Sequence, residues 1–147
     1  MKLVKHILTA KGYDVWSVTP DTSVYDAIKL MSDKEVGALV VLEAGKLVGL
    51  ISEREYARDV ILKGRASKET LVKEIMTFPV IYTDPDQTIE KCMAVMTAKH
   101  VRHLPVLVDD RLIGIVSIGD LVKAIISDQK ALIQQLESYI LEHTSIT

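Results

Sequence analysis

The chain has a single cysteine, Cys92, in 147 residues. One thiol closes no intramolecular disulfide and builds no cysteine-based zinc motif, so a reducing, cytoplasmic setting is expected. An excess of positive charge is also missing. The 18 Lys and Arg stand against 20 Asp and Glu, for a net charge of −2, which argues against nucleic acid as a partner. No apolar run approaches the length of a membrane span. The opening Met1-Lys2-Leu3-Val4-Lys5-His6 interrupts its apolar residues with charge too early for a signal-peptide core, so no membrane partner is expected. His100 and His103 lie close together but have no third ligand nearby, so no metal is expected.

What is present is a repeat. With 48% hydrophobic and 26% charged residues the composition is that of a globular protein, and the length suits one domain or two very small ones sharing a core. Setting Gly49 over Gly114, an offset of 65, keeps one ungapped register from Val15 to Leu62. Pro20-Asp21 falls on Pro85-Asp86, Met31 on Met96, Leu39 on Leu104, Val41-Leu42 on Val106-Leu107 and Ser52 on Ser117. Chance rarely holds a register over so many positions.

Each unit reads as strand, helix, strand, strand, helix, giving an α/β fold. Tyr13 to Val18 is a short β-prone run, and Ser23 caps a helix with Val24, Ala27, Ile28 and Met31 on one face. Ala38 to Leu42 and Leu47 to Ile51 form a largely buried hairpin, followed by helix from about Glu53 to Leu62. In the second unit Val80 to Thr83 is the strand, and Thr88 caps a helix with Ile89, Cys92, Met93 and Met96. Leu104 to Val108 and Leu112 to Val116 form the hairpin, and helix follows from about Ile118. The resulting organisation is an N-terminal helical segment (1–12), repeat one (13–62), a polar linker (63–73), repeat two (74–128) and a C-terminal helix with a tail (129–147). Cys92 is expected to be a buried structural thiol. Trp16 and Tyr82 are expected in the core or, as the lesser alternative, beside an adenine ring.

The sharpest motif follows each third strand: Gly49-Leu-Ile-Ser52-Glu-Arg-Glu55 and Gly114-Ile-Val-Ser117-Ile-Gly-Asp120. A serine with an acid at the third position beyond it is a capping box. The same geometry also serves a nucleotide. A helix N-terminus offers free N–H groups to phosphate, the serine adds a hydroxyl, and the carboxylate can accept both hydroxyls of a ribose diol. Arg54 and Arg58, four apart on one helix, and Arg102 with His103 are candidate phosphate counter-charges, or ordinary surface charge.

The doubled pattern resembles the CBS domain family, whose ribose and phosphate motif is a glycine, two apolar residues, a serine or threonine, and an aspartate three positions on. The resemblance covers about residues 13 to 128 and is sharpest at Gly37-Ala-Leu-Val-Val, Gly49 to Arg58, Glu74-Ile-Met-Thr77 and His100-Val-Arg-His-Leu-Pro-Val106. It implies two repeats related by a pseudo-two-fold axis, in the manner of small stand-alone bacterial pairs. It further implies an adenosyl ligand (AMP, ADP, ATP, NAD or S-adenosylmethionine) in the cleft between repeats, held by Ser117, Asp120, Ser52, Glu55, Arg54, Arg58, Arg102, His103, Thr77, Gly37 and Ala38. One departure is Glu55, which stands where the subgroup has aspartate and either reaches the diol or only caps its helix.

The expected function is regulatory ligand sensing, reported to a separate protein partner. The rivals are a nucleotide hydrolase, for which no dedicated base or nucleophile stands out, and a scaffold with vestigial sites. A homodimer is expected on two grounds. The rows Val24, Ile28, Met31 and Ile89, Met93, Met96 exceed what one module's hairpins cover, and Leu132, Leu136, Tyr139 and Ile140 form an apolar stripe. That stripe either clasps a second copy or folds back on its own repeats.

Overall fold

A computed structural model describes residues 2–144; the end of the C-terminal tail lies outside the described residues. The first repeat comprises β1 (Ser17–Val18), α2 (Val24–Lys34), β2 (Ala38–Glu43), β3 (Lys46–Ser52) and α3 (Glu53–Tyr56), preceded by α1 (Val4–Lys11). A π-helical turn, Ala57–Ile61, extends α3. The second repeat comprises α4 (Val72–Ile75), α5 (Ile89–Lys99), β4 (His103–Val108), β5 (Arg111–Ser117) and α6 (Ile118–Thr144).

The expected hairpins and caps are present. β2 pairs with β3 and β4 with β5, both antiparallel, with the same register shift at equivalent places, between Val41 and Leu42 and between Val106 and Leu107. Ser23 accepts a hydrogen bond from the Asp26 N–H, and Thr88 one from Lys91, each satisfying one orphan donor of a helix start.

The two short first strands differ from expectation. β1 is only two residues long and pairs parallel with β2, while its counterpart shrinks to a single bridge between Thr83 and Val106. Pro105 is the reason. In repeat one the Val40 N–H donates to the Trp16 carbonyl; the equivalent position in repeat two is Pro105, which has no N–H to give.

The segment leading into each repeat packs on the other repeat. The Leu3–Ala10 region, read from sequence as outside the repeats, joins the second core. Val4, Ile7 and Leu8 cluster with Ile89, Cys92, Met96, Leu104 and Leu121. Reciprocally, Val72 and Ile75 of α4 cluster with Val24, Met31, Leu39 and Ile51. The backbone contacts match pair for pair: Val4 N–H to Gln87 and Lys5 to Pro85 on one side, Val72 to Thr22 and Lys73 to Pro20 on the other. The sequences match as well, Leu3-Val-Lys-His-Ile-Leu-Thr9 against Leu71-Val-Lys-Glu-Ile-Met-Thr77. The motif glycines make room for this exchange. A Cβ at Gly114 would lie 2.8 Å from Leu8 Cδ2, and one at Gly49 would overlap Met76 Sδ. A third cluster, built on Ala38, Val40 and Leu50 and reaching Leu112 and Ile115, joins the two sheets.

Burial corrects one ground for a dimer. Val24, Met31, Ile89 and Met96 are at most 2% exposed within the single chain, and Ile28 and Met93 pack against the same cores. The exchanged segments supply the cover that the hairpins alone do not. The other ground stands. α6 runs unbroken for 27 residues and does not fold back: Leu132, Leu136 and Tyr139 are 53–60% exposed. No helix among the described residues is long and apolar enough to cross a membrane.

Candidate functional site

Two clefts lie between the repeats, related by the same pseudo-symmetry. The first, about 220 Å³, is lined by Ser52, Arg54, Glu55 and Thr77 together with His100, Arg102 and His103 of repeat two. The second, about 340 Å³, is lined by Ser117, Asp120, Lys11 and Trp16 together with Gly37 and Ala38 of repeat one. His103 lines both. Ten of the eleven candidate residues thus line one cleft or the other. Arg58, exposed on the π-helical turn, lines neither.

The two acids are engaged differently. Glu55 has both oxygens committed. Its Oε2 accepts from the Ser52 N–H at 3.0 Å and, over a very short contact, from the Ser52 hydroxyl; its Oε1 accepts from the Thr77 hydroxyl at 2.7 Å. The extra methylene lets this carboxylate curl back into its own cap. Asp120 takes both of its bonds on Oδ2, from the Ser117 N–H at 2.8 Å and the Lys11 ammonium at 2.7 Å. Among the described residues nothing hydrogen-bonds its Oδ1.

Lys11 replaces Thr77. In repeat one the Thr77 N–H bonds the Leu50 carbonyl while its hydroxyl bonds Glu55. In repeat two one ammonium reaches both equivalents, Ile115 O at 3.0 Å and Asp120. Sequence reasoning missed Lys11. The signal was the Leu3–Thr9 match to Leu71–Thr77, which places the end of α1 beside Asp120.

The electrostatics follow. Burial alone would raise the Asp120 carboxyl, but the hydrogen bonds from Lys11 and Ser117 and the Lys11 charge outweigh it and hold the group below its ordinary value. Burial pushes His103 down, opposed by Glu55 and Asp120 on its two sides and aided by Lys11 and Arg102. Because the folded Asp120 value is lowered, its contribution to stability is present above about pH 4 and is lost as pH falls through the folded value. The difference in melting temperature between the parent and Asp120→Asn is therefore expected to shrink on acidification from about pH 6 to about pH 3. A difference that stays constant over that range would remove the Lys11 pairing as its source.

Two aromatic expectations change. Trp16 is 37% exposed and lines the second cleft, with the Lys34 ammonium 4.3 Å from its ring centroid; Tyr82 is 58% exposed and lines neither cleft. Neither is core: Trp16 lies just before β1, the edge strand of its sheet, and Tyr82 lies in the irregular segment that replaces that strand in repeat two. Cys92 is buried as expected, beside the Thr83 hydroxyl, and burial raises its thiol. Arg54 donates to the His100 carbonyl at 2.7 Å and so ties the repeats together. Among the described residues no three His, Cys, Asp or Glu side chains gather as a metal site.

The sequence matches the model of the CBS domain over residues 4–61 and 72–127, so the first matched span opens at α1. It is 43% identical over 137 residues to CBSX3, a mitochondrial CBS domain-containing protein of Arabidopsis thaliana, covering 90% of this chain and 66% of that one. It is 31% identical over 131 residues to the CBS domain-containing protein YhcV of Bacillus subtilis, covering 89% and 91%. Among solved structures, a protein with CBS domains from Burkholderia ambifaria is 50% identical with a TM-score of 0.85, over 87% of this chain and 96% of that one. The CBS domain pair of MJ0100, in complex with 5′-methylthioadenosine and S-adenosyl-L-methionine, is 25% identical with a TM-score of 0.77, over 87% and 98%. Fold and sequence agree: the chain belongs to the CBS domain family and carries two CBS repeats.

Proposed function

We propose that this CBS pair binds an adenosyl-containing ligand in the second cleft, an adenine nucleotide of the AMP, NAD or ATP type, without turning it over. The observation that carries the reading is the open Oδ1 of Asp120. An ionised carboxylate at a helix start, in a cleft with an aromatic wall at Trp16, suits a ribose diol with its base. The adenosyl compounds held by the MJ0100 pair support the same class. The phosphate end then points toward His103, the candidate counter-charge that lines this cleft; Arg102 lines the first cleft instead. The first cleft favours a second reading for that half of the chain. With both Glu55 oxygens taken and a volume of about 220 Å³, below the usual range for ligand pockets, it acts as a structural joint. Ligand binding shifts the repeats, and a separate protein in the cytoplasm reads the shift. The acting species is a homodimer.

Calorimetry with adenosine, AMP, NAD and ATP tests the reading. AMP is expected to bind more tightly than adenosine, and added salt to narrow the gap. Failure of all four to bind leaves only the scaffold, and conversion of any ligand during incubation means an enzyme.

A further inference from the structure

We infer that the groove between α1 and α6 is a separate anion-binding pocket, suited to a small phosphate monoester. It goes beyond the adenosyl reading, and neither stands or falls with the other.

The two helices meet through buried Leu8 and Leu121 of the second core. Beside that contact the lining residues include Ala10 of α1 and Ala124 of α6, whose short side chains leave a cavity of about 290 Å³. Helix periodicity builds the two walls. His6 and Ala10 stand four apart on α1, while Asp120, Lys123, Ala124 and Ser127 follow three- and four-residue spacing on α6. The volume is at the lower edge of the range for ligand pockets, so the occupant is small.

The charges name its class. Three lysines, Lys2, Lys11 and Lys123, line the pocket against one acid, Asp120, a surplus of two positive charges. Lys11 pairs with Asp120 at 2.7 Å. Lys2 pairs at 3.1 Å with Asp128, which stands outside the lining with its side chain 50% exposed, where solvent screens it. Lys123 forms no ion pair among the described residues. His6 Nδ1 accepts from the Leu3 N–H at 2.9 Å, so in the neutral ring Nε2 carries the proton and is a donor. Lysines with a charge to spare and a ring N–H around one cavity suit an oxyanion. A phosphate monoester carries about −1.5 to −2 at neutral pH, which matches the surplus. Ile7, Ala10 and Ala124 offer its organic end an apolar wall.

Titration of the full chain with n-butyl phosphate at fixed ionic strength, followed by calorimetry and amide NMR, tests this. Saturable binding is expected, with the Ala124 and Ser127 amides shifting and the indole N–H of Trp16, the one tryptophan of the chain, staying in place. Lys123→Glu is expected to weaken binding at least about tenfold. Lys130→Glu makes the same charge change on α6 outside the pocket and is expected to change binding by less than about twofold. Ala10→Leu, at an exposed position, is expected to fill the cavity and abolish binding with the charges unchanged. No saturable binding, or equal losses in Lys123→Glu and Lys130→Glu, overturns the pocket. So does a shift at Trp16 without one at Ser127, which places the anion in the second cleft. Inorganic phosphate binding as tightly as n-butyl phosphate overturns the monoester.

Discussion

Asp120→Ala is expected to weaken binding of an adenine nucleotide at least tenfold while lowering stability by only about 1 kcal/mol. The affinity loss comes from one or two hydrogen bonds to a charged acceptor, each worth roughly 1.5–3 kcal/mol. The stability loss is that of a cap partner at the start of α6, where Asp120 accepts from the Ser117 N–H. The ion pair with Lys11 adds little, since the Lys11 side chain is 35% exposed and solvent screens it. Glu55→Ala is the contrast. Its carboxylate already serves Ser52 and Thr77, so it is expected to shift the melting temperature as much or more and the affinity little. Calorimetry on the two variants decides the matter. An unchanged affinity in Asp120→Ala with a lowered melting temperature would mean that the carboxylate only caps its helix.

Local signals carried far in this chain, and contacts between distant segments did not. The hairpins were legible because Ala38–Leu42 and Leu47–Ile51 are apolar runs at strand length, and Ser23 and Thr88 were legible because a cap is set within three residues. The apolar stripe of α6 was visible as the recurrence of Leu132, Leu136, Tyr139 and Ile140 at three- and four-residue spacing. Sequence did not show that α1 belongs to the second core. Periodicity reports which face of a helix is apolar, not what covers it, so the rows on α2 and α5 read as surface in want of a partner. The shrunken strand before α5 turned on one missing N–H at Pro105. Its apolar neighbours gave no hint, since Ile81 and Tyr82 suit a strand as well as Trp16 and Ser17 do. The site was half legible: the serine and acid of each motif were in view, but the lysine completing the second cleft comes from a segment about a hundred residues away in sequence.

Leu8→Ala is expected to produce the largest loss of stability, roughly 2–5 kcal/mol, and to place it in the second repeat rather than the first. Leu8 is fully buried. It packs among Ile89, Met96, Leu104, Val116 and Leu121, and its δ-carbons fill the space that Gly114 leaves open. Truncation removes the transfer energy of three carbons and leaves a cavity that the sheet cannot easily close. Against a total stability of about 5–15 kcal/mol for a domain, such a loss is a large fraction of the whole. Its location tests the exchange. The α1 helix precedes the first repeat in the chain, yet its hydrogen bonds and its apolar face go to the second. In hydrogen exchange, the amides of β4 and β5 should therefore lose protection before those of β2 and β3. Val72→Ala should do the reverse, because Val72 of α4 is buried in the first core. If Leu8→Ala loosened β2 and β3 first, α1 would belong to the repeat it precedes, and Lys11 would have no fixed place beside Asp120.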